Sequence, residues 1–342
     1  MSRTKRFLLI GLALCAALLW FKFRDIHPSS KDIQTMQTFT DKMQTYCVGR
    51  FLIDVPHQAT EIRGNYGLRL AKVETQTISH ESQEVLLRRL DNQLAAEERA
   101  LTVQKTYDGK ALFLGRFQPS QNIRSIWFGK DDIHNQLESY IVTEGRVFKF
   151  EGGGRNQESV KAMHQHLIDV ANNLTPREAL EIPNTPGFCI DGGFIKMNPK
   201  QGERAGWHWT LPGHPDVDFG MATSTNGEKV ESGYLDRESG IIAEYGKLMS
   251  EVTILRKRRF LIDGMAAQEY SLSLGKQEPS IELMIEIPGK SNDNAAPRIS
   301  ISMSVGGQGE GGYIKPSLTE GEALALFDAV IATLRLRPDA VR

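Results

Sequence analysis

The strongest constraint on the fold of this chain is an internal repeat. Two Asp-Gly pairs, at 108–109 and 263–264, are separated by 155 residues. At the same offset upstream, one apolar set aligns with another: Leu86, Leu87, Leu90 and Leu94 with Ile241, Ile242, Tyr245 and Met249. The i, i+1, i+4, i+8 spacing of both sets is typical of one face of an amphipathic helix. We therefore expect two halves that share one order of elements.

Each half opens with a strand-like segment that contains a cysteine and closes with a helix, expected at 157–174 and 318–336. Thr319 and Glu322 have the S/T-x-x-E spacing of a capping box at the start of the second of these helices. Several strand-like runs lie between, without strict alternation of strand and helix. The sequence therefore predicts an α+β fold of two similar domains, each a mainly antiparallel sheet with two helices, derived by internal duplication.

The chain divides into four predicted segments. A proline-rich stretch at 175–186 separates an N-terminal domain, 42–177, from a C-terminal domain, 187–340. Residues 1–24 precede these domains as a signal anchor, followed by a polar stretch, 25–41, that is expected to be a coil tether.

The anchor prediction rests on residues 7–21, which carry no charge and follow three basic residues, Arg3, Lys5 and Arg6. Bulky residues end the apolar run, so the A-x-A-like site that cleavage requires is missing. With Lys22 snorkelling, residues 7–23 reach the short end of a membrane-spanning helix. We expect an inner-membrane anchor with the body in the periplasm. A cleaved signal, which would leave a soluble periplasmic protein, and lipidation of Cys15 remain open.

The charge balance argues against a nucleic-acid partner. The chain has 41 basic and 42 acidic residues, and five of the basic residues lie in the first 24. A nucleic-acid-binding domain would instead show a clear basic excess. The densest basic run, 256–259, precedes a strand and is expected to form a solvated edge, with contact to anionic headgroups as the second interpretation.

The sequence contains no pattern typical of a catalytic, cofactor or metal site. Residues 307–312 match G-x-G-x-x-G, but a strand-like segment follows instead of a helix, so we expect a mobile glycine loop and no dinucleotide site. Two histidine pairs lack the spacing or the partners of a zinc site: His164 with His166, and His208 with His214. We expect no enzyme, no cofactor and no metal. Cys47 acting with a distant histidine stays open as a nucleophile.

Cys47 and Cys189 occupy equivalent places in the two halves. Because the body is expected in an oxidising compartment, a disulfide between them is favoured, and it would close a loop of about 140 residues. Two separate buried thiols are the alternative.

The segments around these cysteines, YCVGRFLIDVP at 46–56 and GFCIDGGFI at 187–195, are familiar. They resemble the two-domain immunity proteins that neutralise phospholipase effectors of bacterial type VI secretion. The resemblance spans about residues 40–340, in order, and includes no catalytic signature. It implies a non-enzymatic periplasmic inhibitor of two similar α+β domains that grips its cognate phospholipase effector and blocks access to the active site. An uncleaved anchor departs from a plain exported form.

Glycine and exposed charge predict three accessible loops as candidate partner contacts, besides the cleft between the halves. The residues singled out are Asp131 and Asp132 in 129–135, Glu228 and Glu231 in 226–233, and Gly309 and Glu310 in 306–312. The resemblance itself assigns no contact residues. A membrane-anchored envelope binding or structural module with another partner is the alternative function, and an unrecognised envelope hydrolase is the third.

Overall fold

The computed structural model describes residues 24–68, 71–107, 109–130, 134–196, 202–225, 227–228, 230, 232–238, 251–275, 277–309 and 311–341. The expected anchor helix and the apolar set at 241–249 lie outside the described residues. Among the residues that are described, no helix is both long and apolar enough to cross a membrane.

The first half has three helices and nine strands among its described residues. They are α1 (Ser30–Thr40), β1 (Met43–Val48), β2 (Phe51–Pro56), β3 (Thr60–Leu68), β4 (Ala71–Ile78), α2 (Gln83–Val103), β5 (Phe113–Ser120), β6 (Ile123–Gly129), β7 (Asn135–Thr143), β8 (Arg146–Gly153), α3 (Gln157–Asn173) and β9 (Leu174–Pro176).

The described part of the second half has one α-helix, one 3₁₀ helix and eleven strands. They are β10 (Phe188–Ile190), β11 (Gly193–Ile195), β12 (Glu203–Leu211), β13 (His214–Ser224), the 3₁₀ helix (Tyr234–Asp236), β14 (Val252–Ile262), β15 (Met265–Leu274), β16 (Ser280–Ile287), β17 (Arg298–Val305), β18 (Gly307–Gly309), β19 (Gly312–Ile314), α4 (Glu320–Ile331) and β20 (Arg335–Leu336).

One twelve-stranded sheet dominates the fold, in the order β14-β15-β16-β17-β13-β12-β3-β4-β8-β7-β6-β5. Every neighbouring pair is antiparallel. Counted from either edge, the six strands of each half follow the same order, and the halves meet where β12 pairs with β3. The predicted α+β class with a mainly antiparallel sheet is confirmed.

Helix α2 begins at the N-cap Ser82 and buries Leu86, Leu90 and Leu94. This predicted apolar face packs on one surface of the sheet, against Ile126 and Tyr140. We call that surface the outer face. The other surface, the inner face, carries α3 and α4 and holds the main core.

The two closing helices form close to where the sequence places them. The capping box of Thr319 and Glu322 is present at the start of α4. The expected helix at 318–336 ends earlier, at Ile331, because the Thr333 hydroxyl donates to the Val330 carbonyl and the chain then turns into β20.

The expected coil tether at 25–41 is wrong over α1. Ser29 and Asp32 form a capping box, and burial of Met36 holds α1 against α4. The backbone N–H groups of Arg24 and Ile26 also donate to the free edge of β14, at 3.0 and 2.8 Å. The polar composition of this segment does not predict the helix. Its capped N-terminus and one buried side chain are enough to stabilise it when a partner helix is present.

The basic run at 256–259 is also not a simple solvated edge. Arg256 is buried and bonds Glu269 and Asp328 at 2.8 and 2.7 Å. Each of the other three pairs with an acidic side chain as well: Lys257 with Glu238, Arg258 with Glu269 and Asp328, and Arg259 with Asp236. These partners neutralise the run, which weakens the case for headgroup contact.

The halves interlock through their short sheets. The opening hairpin of the first half, β1–β2, pairs with β20 at the end of the second half. The opening hairpin of the second half, β10–β11, pairs with β9 at the end of the first. As a result, the two predicted domains share one core of buried side chains.

Candidate functional site: a cleft between diverging strands

The sheet opens at one place near its centre. Strands β3 and β4 pair only over Tyr66–Leu68 and Ala71–Val73; before and after that, β3 follows β12 and β4 follows β8. The equivalent hairpin of the second half, β12–β13, is paired from Arg204–Ser224 to Thr210–Asp218. The opening therefore breaks the shared plan of the halves. It contains a cavity of about 580 Å³, which we call the cleft.

The floor of the cleft is the Asp191-Gly192 turn between β10 and β11. The Gly64 N–H and the Tyr66 hydroxyl donate to the Asp191 carboxylate at 2.8 and 2.7 Å, and the Thr75 hydroxyl donates to its carbonyl. Burial, together with the negative charge of Asp191, raises the pKa of Tyr66 well above its ordinary value. The turn thus bonds to both diverging strands and holds them apart.

Two glycines make this arrangement possible. A Cβ at Gly64 would come within 2.3 Å of the Tyr66 ring, which lies over the backbone on its way to Asp191. Gly192 has a φ of +66°, and a Cβ there would meet the Ile78 side chain at 3.1 Å. Side chains at these positions would push the floor away from the strands.

A disulfide lies beside the floor. The structure joins Cys47 of β1 to Cys189 of β10, with 5.9 Å between their Cα atoms and a sequence separation of 142 positions. Both sulfurs are buried with Leu52 and Phe194. The bond links the opening hairpins of the two halves, where the sequence places equivalent cysteines.

Buried arginines hold the linker that forms one wall of the cleft. Arg177 donates to the backbone carbonyls of Ile190 and Glu181 at 3.1 and 2.8 Å, and burial lowers its pKa. Arg337 donates to the carbonyls of Pro183 and Thr185 at 2.7 and 2.8 Å. Burial and the nearby charges of other arginines lower the pKa of Arg337 to about 10. The guanidinium groups of Arg177 and Arg337 therefore hold the proline-rich linker in place through hydrogen bonds to its backbone carbonyls.

Comparisons with known proteins find similarity to one family and to several solved structures. Residues 181–339 match the model of the family described as the Tle cognate immunity protein 4 C-terminal domain. The second half of the chain is therefore similar to this immunity-protein family. No curated protein matches the sequence.

Solved structures share the fold over nearly the whole chain. The apo structure of immunity protein TplEi of T6SS from Pseudomonas aeruginosa is 24% identical, with a TM-score of 0.70 over 86% of this chain and 97% of that one. The crystal structure of the Tle4-Tli4 complex is 23% identical in sequence, with a TM-score of 0.72 over 87% of this chain and 99% of the matched chain. The structure of TplEi complexed with "L" peptide is 25% identical in sequence, with a TM-score of 0.67 over 86% of this chain and 98% of the matched chain.

The cleft is suited to binding. Its polar floor groups bond to one another, and Cys47, the one sulfur considered as a nucleophile, is in a disulfide and so has no thiolate. Within the described residues, no group of three or more His, Cys, Asp or Glu side chains is placed to hold a metal. The cleft provides a partner with a concave surface, open strand edges and a few polar groups.

Of the predicted contact residues, only Glu228 and Gly309 are among the described residues. Asp131, Asp132, Glu231 and Glu310 fall outside the described residues. Glu228 is exposed, and its carbonyl accepts a hydrogen bond from Ser291 at 3.2 Å. Gly309 is exposed in β18. Neither Glu228 nor Gly309 lines the cleft.

The G-x-G-x-x-G segment is not the mobile loop that was expected. It folds into the hairpin β18–β19, and the Tyr313 hydroxyl donates to the Pro279 carbonyl at 3.0 Å. A strand follows the motif, as the sequence predicts, and no helix opens from it.

Sequence reasoning identified the Asp-Gly pairs of the repeat but missed the one that matters here. Asp191-Gly192 is visible in GFCIDGGFI as a hairpin turn. Its partners, Gly64 and Thr75, are more than 110 residues away, and no local pattern marks a contact at that distance.

Proposed function

We propose that this chain is an immunity protein that binds and inhibits a type VI secretion phospholipase effector in the periplasm and blocks access to its active site. The observation that carries the proposal is the family match over residues 181–339, which covers the whole second half. The fold shared with two immunity proteins over at least 86% of the chain extends this support to the first half. One of these relatives was solved in a complex named Tle4-Tli4.

We also propose that the protein is not an enzyme and that it acts from the membrane. The apolar run at 7–21 supports an inner-membrane anchor, and a cleaved signal with a soluble periplasmic product is the alternative. Tethering would raise the local concentration of the inhibitor at the lipid surface that a phospholipase attacks.

We propose that segments 42–177 and 187–340 are the two products of an internal duplication. The identical strand order of the halves supports this origin. Beyond the cleft, the three loops that contain Asp131–Asp132, Glu228–Glu231 and Gly309–Glu310 stay candidate contacts.

The deciding experiment titrates the full chain, in mixed detergent–phospholipid micelles, into the phospholipase encoded beside its gene. We expect stoichiometric loss of lipid hydrolysis and a complex that co-elutes in size-exclusion chromatography. An unrelated bacterial phospholipase serves as the control and should keep its activity. Full hydrolysis at a large excess of the chain, with no complex, would refute the pairing and favour an envelope binding module with another partner.

A further inference from the structure

We propose that the cleft accepts an extended segment of the effector as an added strand between β3 and β4. This inference rests on the proposed function, because it assigns the occupant to the inhibited effector. Beyond the proposed function, the inference specifies how the effector is recognised, by backbone pairing inside an open sheet, and where on the protein this occurs.

The first support is the pair of strand edges that face each other across the cleft. Gly64 directs its N–H into the cleft, toward Asp191. Across the cleft, β4 beyond Val73 pairs with β8 and with no strand on its other side among the described residues. An extended peptide pairs with edges of this kind through main-chain hydrogen bonds.

The second support is that the opening is built into the fold. The Asp191-Gly192 turn bonds both strands at the point where they separate, and the disulfide and Arg177 secure the hairpin that carries the turn. The closed β12–β13 hairpin shows that the same plan does not require an opening. A preformed gap costs less conformational entropy on binding than one that a partner must open.

The third support is an apolar rim. Ile62 and Ile78 line the cleft, and Ile78 is 60% exposed. Exposed aliphatic side chains around a concave site are typical of protein contacts. Since side chains alternate along a strand, the expected occupant is an extended segment with an apolar residue at every second position.

The test measures backbone hydrogen exchange in the full chain, with and without saturating effector. Among residues 60–65 and 74–78, the amides that pair with neither β12 nor β8 should exchange at least about tenfold more slowly in the complex, because strand pairing protects N–H groups. A complex that inhibits hydrolysis but leaves these amides unprotected would overturn the strand proposal and keep the proposed function. Absence of any complex would instead refute the proposed function.

Two matched variants test the rim. Ile78→Asp places a charge at the rim, and Leu261→Asp makes the same change at a 68% exposed position of β14, an edge strand of the sheet away from the cleft. Ile78→Asp should raise the Kd for the effector at least about tenfold, whereas Leu261→Asp should leave it unchanged. Urea unfolding checks that both variants stay folded. Equal Kd values for the two folded variants would contradict the assigned site.

Discussion

Removal of the Cys47–Cys189 disulfide should cost much of the stability of this protein. The bond closes a loop of 142 residues between the two halves. In the chain-entropy treatment, a loop of that length restricts the unfolded chain by about 5 kcal/mol. A domain typically has only about 5–15 kcal/mol of unfolding free energy in total. The expected loss is therefore comparable to the whole margin.

The assay is urea unfolding of the wild type, oxidised and reduced, beside the double variant Cys47→Ala, Cys189→Ala. Reduction should lower the free energy of unfolding by about 5 kcal/mol and raise the slope m, because a less constrained unfolded chain exposes more surface. The double variant should match the reduced protein to within the lost packing of two small side chains. A loss below about 1 kcal/mol with unchanged m would refute the reasoning, since the unfolded chain would then be no freer without the bond.

Three further changes have defined outcomes. Glu203→Gln should lower the free energy of unfolding by about 3–5 kcal/mol in urea titration, because it removes the negative charge that lies 2.6 Å from the buried guanidinium of Arg50. Burial raises the pKa of Glu282 above its ordinary 4.5, so its stabilising contribution is present below that value and is lost as pH rises through the folded pKa. Glu282→Gln should therefore become more stable relative to wild type as the pH rises above about 4.5, and a constant difference would contradict this. Met36→Ala should cost about 2–5 kcal/mol, whereas Ile33→Ala on the exposed side of α1 should stay within about 0.5 kcal/mol; equal losses would show that α1 is not docked.

The parts of the fold that the sequence predicts are those with local signals. The buried face of Leu86, Leu90 and Leu94 follows from the spacing of apolar residues within one helix, and that face is present. The capping box of Thr319 and Glu322 follows from a four-residue pattern, and it is present too. Strand pairing across the sequence has no such signal, so the joining of the halves through β12 and β3 could not be derived from composition or spacing. The same holds for α1, whose stability depends on α4, almost 300 residues later.

The candidate site was predictable only in outline. A cleft between the halves was expected from two domains, but the split lies within the first-half hairpin β3–β4, in the interior of one continuous sheet. Its cause is the turn at Asp191, which belongs to the second half. A sequence shows that Asp-Gly forms a turn, and it does not show which distant strands the turn will separate.

The interlocked hairpins explain why such an opening can persist in a sheet. A gap between two strand edges leaves backbone groups unpaired, and a free hairpin would close to satisfy them. Here closure would require Asp191 to release Gly64 and Tyr66, while the disulfide and Arg177 keep the turn in place. The proposed partner strand would instead enter the existing gap without opening the sheet. An inhibitor that must hold a toxic enzyme tightly benefits from such a preformed site, because little of the binding energy is spent on ordering it.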